Sequence, residues 1–304
     1  MKEVMKIIYR FVYFLILATV VSAVVSCDDD EDDYQLGGNN GSFVINPNYE
    51  KRIEVPALKK SGTVFIQHST AVGRDSVMTF CLEYDTQKCH SRWVAFRFDG
   101  HTRNKTVSRS DDPFTDDPKV PSSLKIGSRG FGGIYNRGHL CASADRLYSK
   151  EANEQTFYMT NMSPQIGSFN QGYWITLEDF VQTKGRDANF ADTLYVCKGG
   201  TIDGNKILEY VTRSNGCKVP VPKYYFMALL RVKNGTYSSI AFYMEHKEYG
   251  YTYKNHVSMS EMAKNVVTVD ELEDLTGIDF FHNLPNTIES AVERQYSLNV
   301  WGIN

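Results

Sequence analysis

Six apolar segments, each bounded by turn residues, constrain this chain more than any other feature. They are "TVFIQH" (63–68), "VMTFCLEY" (77–84), "RWVAFRF" (92–98), "TLYVCKG" (193–199), "YYFMALLRV" (224–232) and "SSIAFYM" (238–244). Alternation or short continuous runs of β-branched and aromatic residues predict strands there. One helix is predicted over 169–183, "FNQGYWITLEDFVQT", with shorter ones at "VDELEDLTG" (269–277) and "SAVERQ" (290–295). Strands in a run with helices grouped in two places predict an α+β fold, a central antiparallel sheet with helices against it. A segment rich in Asp, Pro, Ser and Gly, 103–133, separates the strands and reads as a long irregular loop. Loops of that length are usually functional or disordered.

Ahead of these elements lies an address. "MKEVMKIIYR" is a positive n-region, and the uncharged run 11–25, "FVYFLILATVVSAVV", is short for a spanning helix but suits a secretory signal. It ends in "VVSC", which resembles the lipobox of bacterial lipoproteins, with Cys27 as the lipidated residue. "DDDEDD" (28–33) resembles the acidic tag of some surface-exported outer-membrane lipoproteins. Six like charges cannot pack together, so the segment reads as a solvated tether. The expected organisation is a signal peptide at 1–26, a lipidated acidic tether at 27–47 and one domain at 48–304. The protein is then exported and held at the outer membrane, facing outward.

With Cys27 lipidated, five cysteines remain in an oxidising compartment, so at least one is a free thiol. A hairpin turning near Asp85 would pair Cys81 with Cys89. Cys197 and Cys217 bracket a glycine-containing excursion and form the second candidate pair, which leaves Cys141 free.

Net charge is −3, which argues against an anionic polymer as partner until its distribution is considered. Residues 91–150 hold 11 basic and 6 acidic side chains, while the rest of the chain holds 22 and 30. The basic stretch, a balance of +5, contains "GGIYNRGHLCASADR" (132–146), and it favours an anionic ligand at that place. His139 could serve there as a general base. On the long helix, Asn170 falls in line with Trp174, Leu177 and Val181. An amide on an apolar stripe needs a partner, either a metal or the backbone of a helix start. Glu178, eight residues on, lies about 80° round the helix from Asn170 at 100° per residue.

Several separated motifs then occur in an order that resembles the DNA/RNA non-specific endonuclease family, the ββα-metal nucleases. "NRGHLCASA" is similar to that family's Asp-Arg-Gly-His signature and the small residue after it, Ala144. "TNMSPQIGSFNQGYWITLED" (160–179) resembles its metal-helix segment. "WVAF" (93–96), "SRSDDPFTDDP" (108–118) and "VDELEDLTGIDFF" (269–281) resemble further blocks, and the likeness spans about 54–295.

The resemblance implies a ββα-metal finger as active site and Mg²⁺-dependent hydrolysis of DNA and RNA to 5′-phosphate ends, with Mn²⁺ as a possible substitute. It makes His139 the general base, Asn170 the direct metal ligand and Glu178 a carboxylate one shell out. Arg109 stabilises the phosphorane, Arg137 supports the phosphate or the loop, and Asn161 holds a turn. Two positions depart from the pattern. Asn136 stands where the family has Asp, and Gln182 where some members have Arg. These departures keep a second reading open, a non-catalytic or weakly active nucleic-acid-binding lipoprotein. A third, in which His139 and Cys141 bind zinc, lacks a second Cys/His pair at the required spacing. Beyond nucleic acid and membrane, the sequence suggests no protein partner.

Overall fold

The structure, a computed structural model, describes residues 51–303 apart from 112. The signal segment, Cys27, the acidic tether and residues 48–50 lie outside the described residues. Among the described residues no helix is long and apolar enough to cross a membrane.

Eleven strands are formed: β1 (Thr63–Val72), β2 (Asp75–Asp85), β3 (His90–Phe98), β4 (Tyr135–His139), β5 (Met162–Ile166), β6 (Thr193–Gly200), β7 (Ile207–Thr212), β8 (Lys218–Pro222), β9 (Tyr224–Lys233), β10 (Thr236–Glu245) and β11 (Val266–Val267). Seven make one antiparallel sheet in the order β1-β2-β3-β6-β9-β10-β11, while β4-β5 and β7-β8 form two-stranded ribbons. The six apolar segments of the sequence are the six long strands of that sheet. They read as apolar on both faces because both faces are covered.

Alternation along β3 shows the division. Val94, Phe96 and Phe98 enter one core with Leu140, Phe169, Trp174 and Leu177. Trp93 and Ala95 enter the other with Val269, Leu272, Phe280 and Val292. The first face carries the β4-β5 ribbon and the long helix. The second carries α4 (Val269–Thr276) and α5 (Asn286–Glu293), which pack on β10. The remaining helices are α1 (Lys150–Gln155), α2 (Gly167–Phe169, Asn170–Trp174 and Ile175–Arg186 in continuous sequence), α3 (Met259–Ala263) and α6 (Leu298–Trp301).

The disulfide is Cys89–Cys217, and Cys81, Cys141 and Cys197 are free and buried. Both pairings expected from the sequence are therefore corrected. The pleat explains why: Cys81 and Cys197 point into the core with α4 and α5, whereas Cys89 and Cys217 belong to the opposite core. Cys81 aligns with Ala95, which aligns with Cys197, so strand register holds those two thiols far from the hairpin turn.

The loop 103–133 is ordered by side chains that satisfy its backbone. Arg213 donates to the carbonyls of Ile126, Gly127, Arg129 and Gly130 at 2.8–2.9 Å. Asp117, fully inside, accepts from Thr160 Oγ1 at 2.6 Å and pairs with His68 Nε2 at 2.9 Å. The Ser110 amide donates to Asn153 Oδ1, which fixes the stretch beside Arg109.

Candidate active site

The ribbon β4-β5 and helix α2 follow one another as strand, strand and helix. His139, the last residue of β4, aligns with Met162, the first of β5, and α2 starts immediately after β5 ends at Ile166. Asn161, wholly buried, locks the end of β4. Its Oδ1 accepts from Cys141 N at 2.8 Å, and its Nδ2 donates to the carbonyls of Cys141 and Thr156. From the helix side, Trp174 Nε1 donates to the His139 carbonyl at 3.1 Å. Gly138 aligns with Ser163, and a Cβ there would fall inside the buried side chain of Gln165. That close approach explains the glycine between Arg137 and His139.

The first turns of α2 are not regular. Asn170–Trp174 is a π-helical turn, a local widening often found at functional sites. The 80° relation between Asn170 and Glu178 assumed regular winding and does not carry over. Gly172 allows the widened turn to meet the Tyr251 carbonyl, where any Cβ would collide with backbone. Asn170 sits half-buried at the start of this turn, and its side chain makes no hydrogen bond among the described residues. The alternative of an amide spent on capping is thus excluded, and its oxygen is free for a ligand. Glu178 is buried two turns on, and burial raises its carboxyl to about 8. Lys198 acts against that rise, while Asp145 and Asp179 add to it. The unspent amide oxygen of Asn170 is a donor that suits a hard cation keeping several waters, so this residue fits Mg²⁺ or Mn²⁺.

His139 is half-buried between two rings, Phe157 at 5.0 Å edge-on and Phe114 at 5.7 Å. Each ring carries a guanidinium on its face. Arg109 lies 4.8 Å from the Phe157 centroid and Arg137 lies 3.5 Å from that of Phe114. Arg137 also donates to the Ser128 carbonyl at 2.8 Å. The imidazole is pushed down to about 3 by desolvation, then by the positive charges of Arg109, Lys198 and Arg137. Its Nε2 is sealed and unpartnered, so Nδ1 is the nitrogen that can exchange a proton with solvent. Arg109 itself is exposed on the ordered loop, and Arg137 is half-buried.

The model of the DNA/RNA non-specific endonuclease family matches residues 60–287, well over half of the chain. The chain belongs to the DNA/RNA non-specific endonuclease family. Among relatives, a nuclease of Nostoc sp. is 27% identical over 220 residues, 70% of this chain and 75% of that protein. The mitochondrial nuclease of Saccharomyces cerevisiae is 26% identical over 208 residues, 64% of this chain and 61% of that one. A crystal structure of the EndoG/EndoGI complex matches with a TM-score of 0.58 at 20% identity, covering 73% of this chain and 88% of that chain. That likeness is one of fold.

The sequence singled out His139, Arg109, Arg137, Asn170 and Glu178 as candidates for the site. The structure brings His139, Arg109 and Arg137 together around two rings. Asn136 lies on β4 across from Gln165, with its amide against Gly167. Gln182 is half-buried one helical turn after Glu178. Cys141 is fully buried, and its thiol is raised by that burial, the opposite of what a zinc ligand requires. Among the described residues it joins no cluster of three metal-binding side chains.

Sequence reasoning missed the two rings and the charged layer beneath them. Lys198 Nζ pairs with Asp145 Oδ2 at 2.7 Å with both side chains fully buried. Arg146, also fully buried, donates to the Arg97 carbonyl at 2.9 Å and lies over Phe96 and Phe98. A lysine inside the apolar run "TLYVCKG" was the available signal, because a lone charge in a buried strand must find a partner. Asp145 and Arg146 close the same segment that holds His139.

Proposed function

We propose that the protein is a Mg²⁺-dependent endonuclease that hydrolyses DNA and RNA without sequence preference and leaves 5′-phosphate ends. Mn²⁺ is the alternative ion. The observation that carries this reading is His139, a neutral imidazole set between two cation-capped rings with Nδ1 as its open nitrogen. In that reading Nδ1 takes the proton of the attacking water. A free pKa near 3 makes a weak base, but a bound phosphate brings negative charge beside the ring and raises it. Arg109 and Arg137, held by their stacking rings, donate to the phosphoryl oxygens as charge builds in the transition state. Asn170 holds the ion, and Glu178 orients its surroundings from within the helix. The ion, when bound, supplies charge neutralisation at the phosphoryl group and at the leaving 3′-oxygen.

The contacts proposed for Arg109, Arg137 and the ion all go to phosphate. Affinity should therefore fall steeply with salt for DNA and RNA alike. The test is degradation of supercoiled plasmid and of single-stranded RNA by the purified protein, with and without chelator. Activity on one sugar type alone, or activity that survives chelation, refutes the proposal. A weakly active nucleic-acid-binding protein is the competing reading, favoured by Asn136 in place of a carboxylate. For location, we propose export and lipid anchoring through Cys27 at the outer-membrane surface, supported by "VVSC" and the acidic tag. Loss of labelled-lipid incorporation in Cys27→Ser tests that.

A further inference from the structure

The second face of the sheet holds a group of carboxylates that the nuclease reading does not use. Asp270 and Glu273 lie on α4 and Glu293 ends α5, and one carboxylate oxygen from each lies within 4.8 Å of the other two. Asp279 and Glu289 add further negative charge nearby. A surface cluster of acids would need no explanation, but Glu293 is only 5% exposed. Its Oε1 is sealed from solvent with no hydrogen-bond partner. Burying a carboxylate oxygen without a partner is costly, and placing it beside two more carboxylates raises that cost.

The protein supplies little to offset this charge. Arg294 Nε stands 3.6 Å from Asp270 Oδ2, but its side chain is 73% exposed, and such a surface pair contributes little. The Phe280 amide donates to Glu273 Oε1 at 2.7 Å, which orients that carboxylate and leaves its other oxygen available. We propose that Asp270, Glu273 and Glu293 bind a calcium ion that clamps α4 to α5 on the face opposite His139.

The ligand set favours one ion: Ca²⁺ accepts about 6–8 oxygens in flexible geometry, whereas Mg²⁺ demands a near-octahedral shell, keeps several waters and is usually held by only one or two carboxylates. Asp270 and Glu273 are half-buried, so water can complete the coordination from the solvent side. The clamp would add to the contacts that already tie α5 to the sheet, where Ser239 Oγ donates to the Val292 carbonyl and Val292 is buried in the core.

Thermal unfolding of the chelator-stripped full chain, titrated with CaCl₂ and separately with MgCl₂, tests the site apart from nuclease activity. Calcium at roughly 100-fold over its Kd should raise Tm by about 5–10 °C. Asn170→Ala should show the same rise, because its residue lies at the other site. Glu293→Gln and Asp270→Asn should lose it, and Glu293→Gln should be at least as stable as the stripped parent. No rise in the parent, or an equal rise in Glu293→Gln, overturns the proposal. Should Glu293→Gln fail to fold, equilibrium dialysis with labelled Ca²⁺ on the half-buried Asp270→Asn decides. It must bind one ion fewer than the parent, and equal binding refutes the site.

Discussion

The two faces of the sheet handle buried charge in opposite ways. Beneath the finger, cations and anions are interleaved: Lys198 with Asp145, Arg146 over Phe96 and Phe98, and Arg109 and Arg137 over the rings beside His139. Desolvation, and after it the positive charges of Arg109, Lys198 and Arg137, push His139 down. On the far face the carboxylates are gathered with one exposed arginine for company. There burial and neighbouring acids raise Glu293 to about 9 and Glu273 to about 7. One sheet thus separates a positively biased site from a negatively biased one, and the −3 of the whole chain conceals both. The lesson is that net charge says little about ligands until the fold sorts the charges by face.

That contrast is broken or sharpened most strongly by single substitutions on each face. His139→Ala removes the proposed base and Asn170→Ala the proposed metal anchor. Positioned acid–base groups contribute about 10²–10⁴-fold, so plasmid nicking should fall by at least that order, with Tm nearly unchanged. Glu293→Gln should do the reverse and leave the nicking rate within about twofold while altering thermal behaviour. A folded His139→Ala protein that nicks normally would place the chemistry elsewhere.

Gly172→Ala comes next. The added methyl meets the Tyr251 backbone, and overpacking of this kind costs about 1–3 kcal/mol. Because the π-helical turn carries Asn170, nicking should drop along with Tm. An unchanged Tm would mean that the turn can relax into regular helix at no cost.

The pH profile should separate the faces more gently. His139 in the folded protein stays neutral until about pH 3, whereas the unfolded chain protonates it near 6.5. The unfolded state therefore binds more protons across that window. Its contribution to stability is present above 6.5 and is lost as pH falls toward 3. His90 and His246, both buried and lowered to about 4, act in the same direction. At saturating Mg²⁺, nicking should change by less than about threefold from pH 7 to 5, and acid inactivation should coincide with unfolding. An acid limb near pH 6.5 in a protein that remains folded by circular dichroism would contradict the depressed imidazole.

How far the sequence shows all this depends on which forces leave a local trace. The six long strands were legible because burial on both faces demands continuous apolar residues. β4 and β5 were not recognised as strands, since "YNRGH" and "MSPQI" have no alternation and the end of the ribbon is fixed by Asn161 and Trp174, which lie outside both strands. The disulfide was misread because strand register, rather than proximity in sequence, decides which cysteines share a face. His139 and Asn170 were legible as motif positions. The rings of Phe114 and Phe157 were not, because they reach His139 only through the folded loop 103–133 and the segment after α1.

The smallest expected effect concerns Asn136, beside the finger's first helical turn. Its amide lies against Gly167, so it can hold the turn without supplying the charge that a carboxylate would. Asn136→Asp adds one negative charge close to the proposed ion, which strengthens attraction for a divalent cation in a partly water-excluded site. It also works against the positive bias set by Arg109, Arg137 and Lys198, so His139 should titrate somewhat higher and be a stronger base. Both effects favour the variant at limiting metal, by a factor of a few, and the gain should vanish at saturating Mg²⁺ if metal affinity is the main term. A Mg²⁺ titration of the nicking rate at one pH and low salt distinguishes the cases. A variant slower than the parent at every Mg²⁺ concentration would show a site retuned around the amide, with the carboxylate now an intruder.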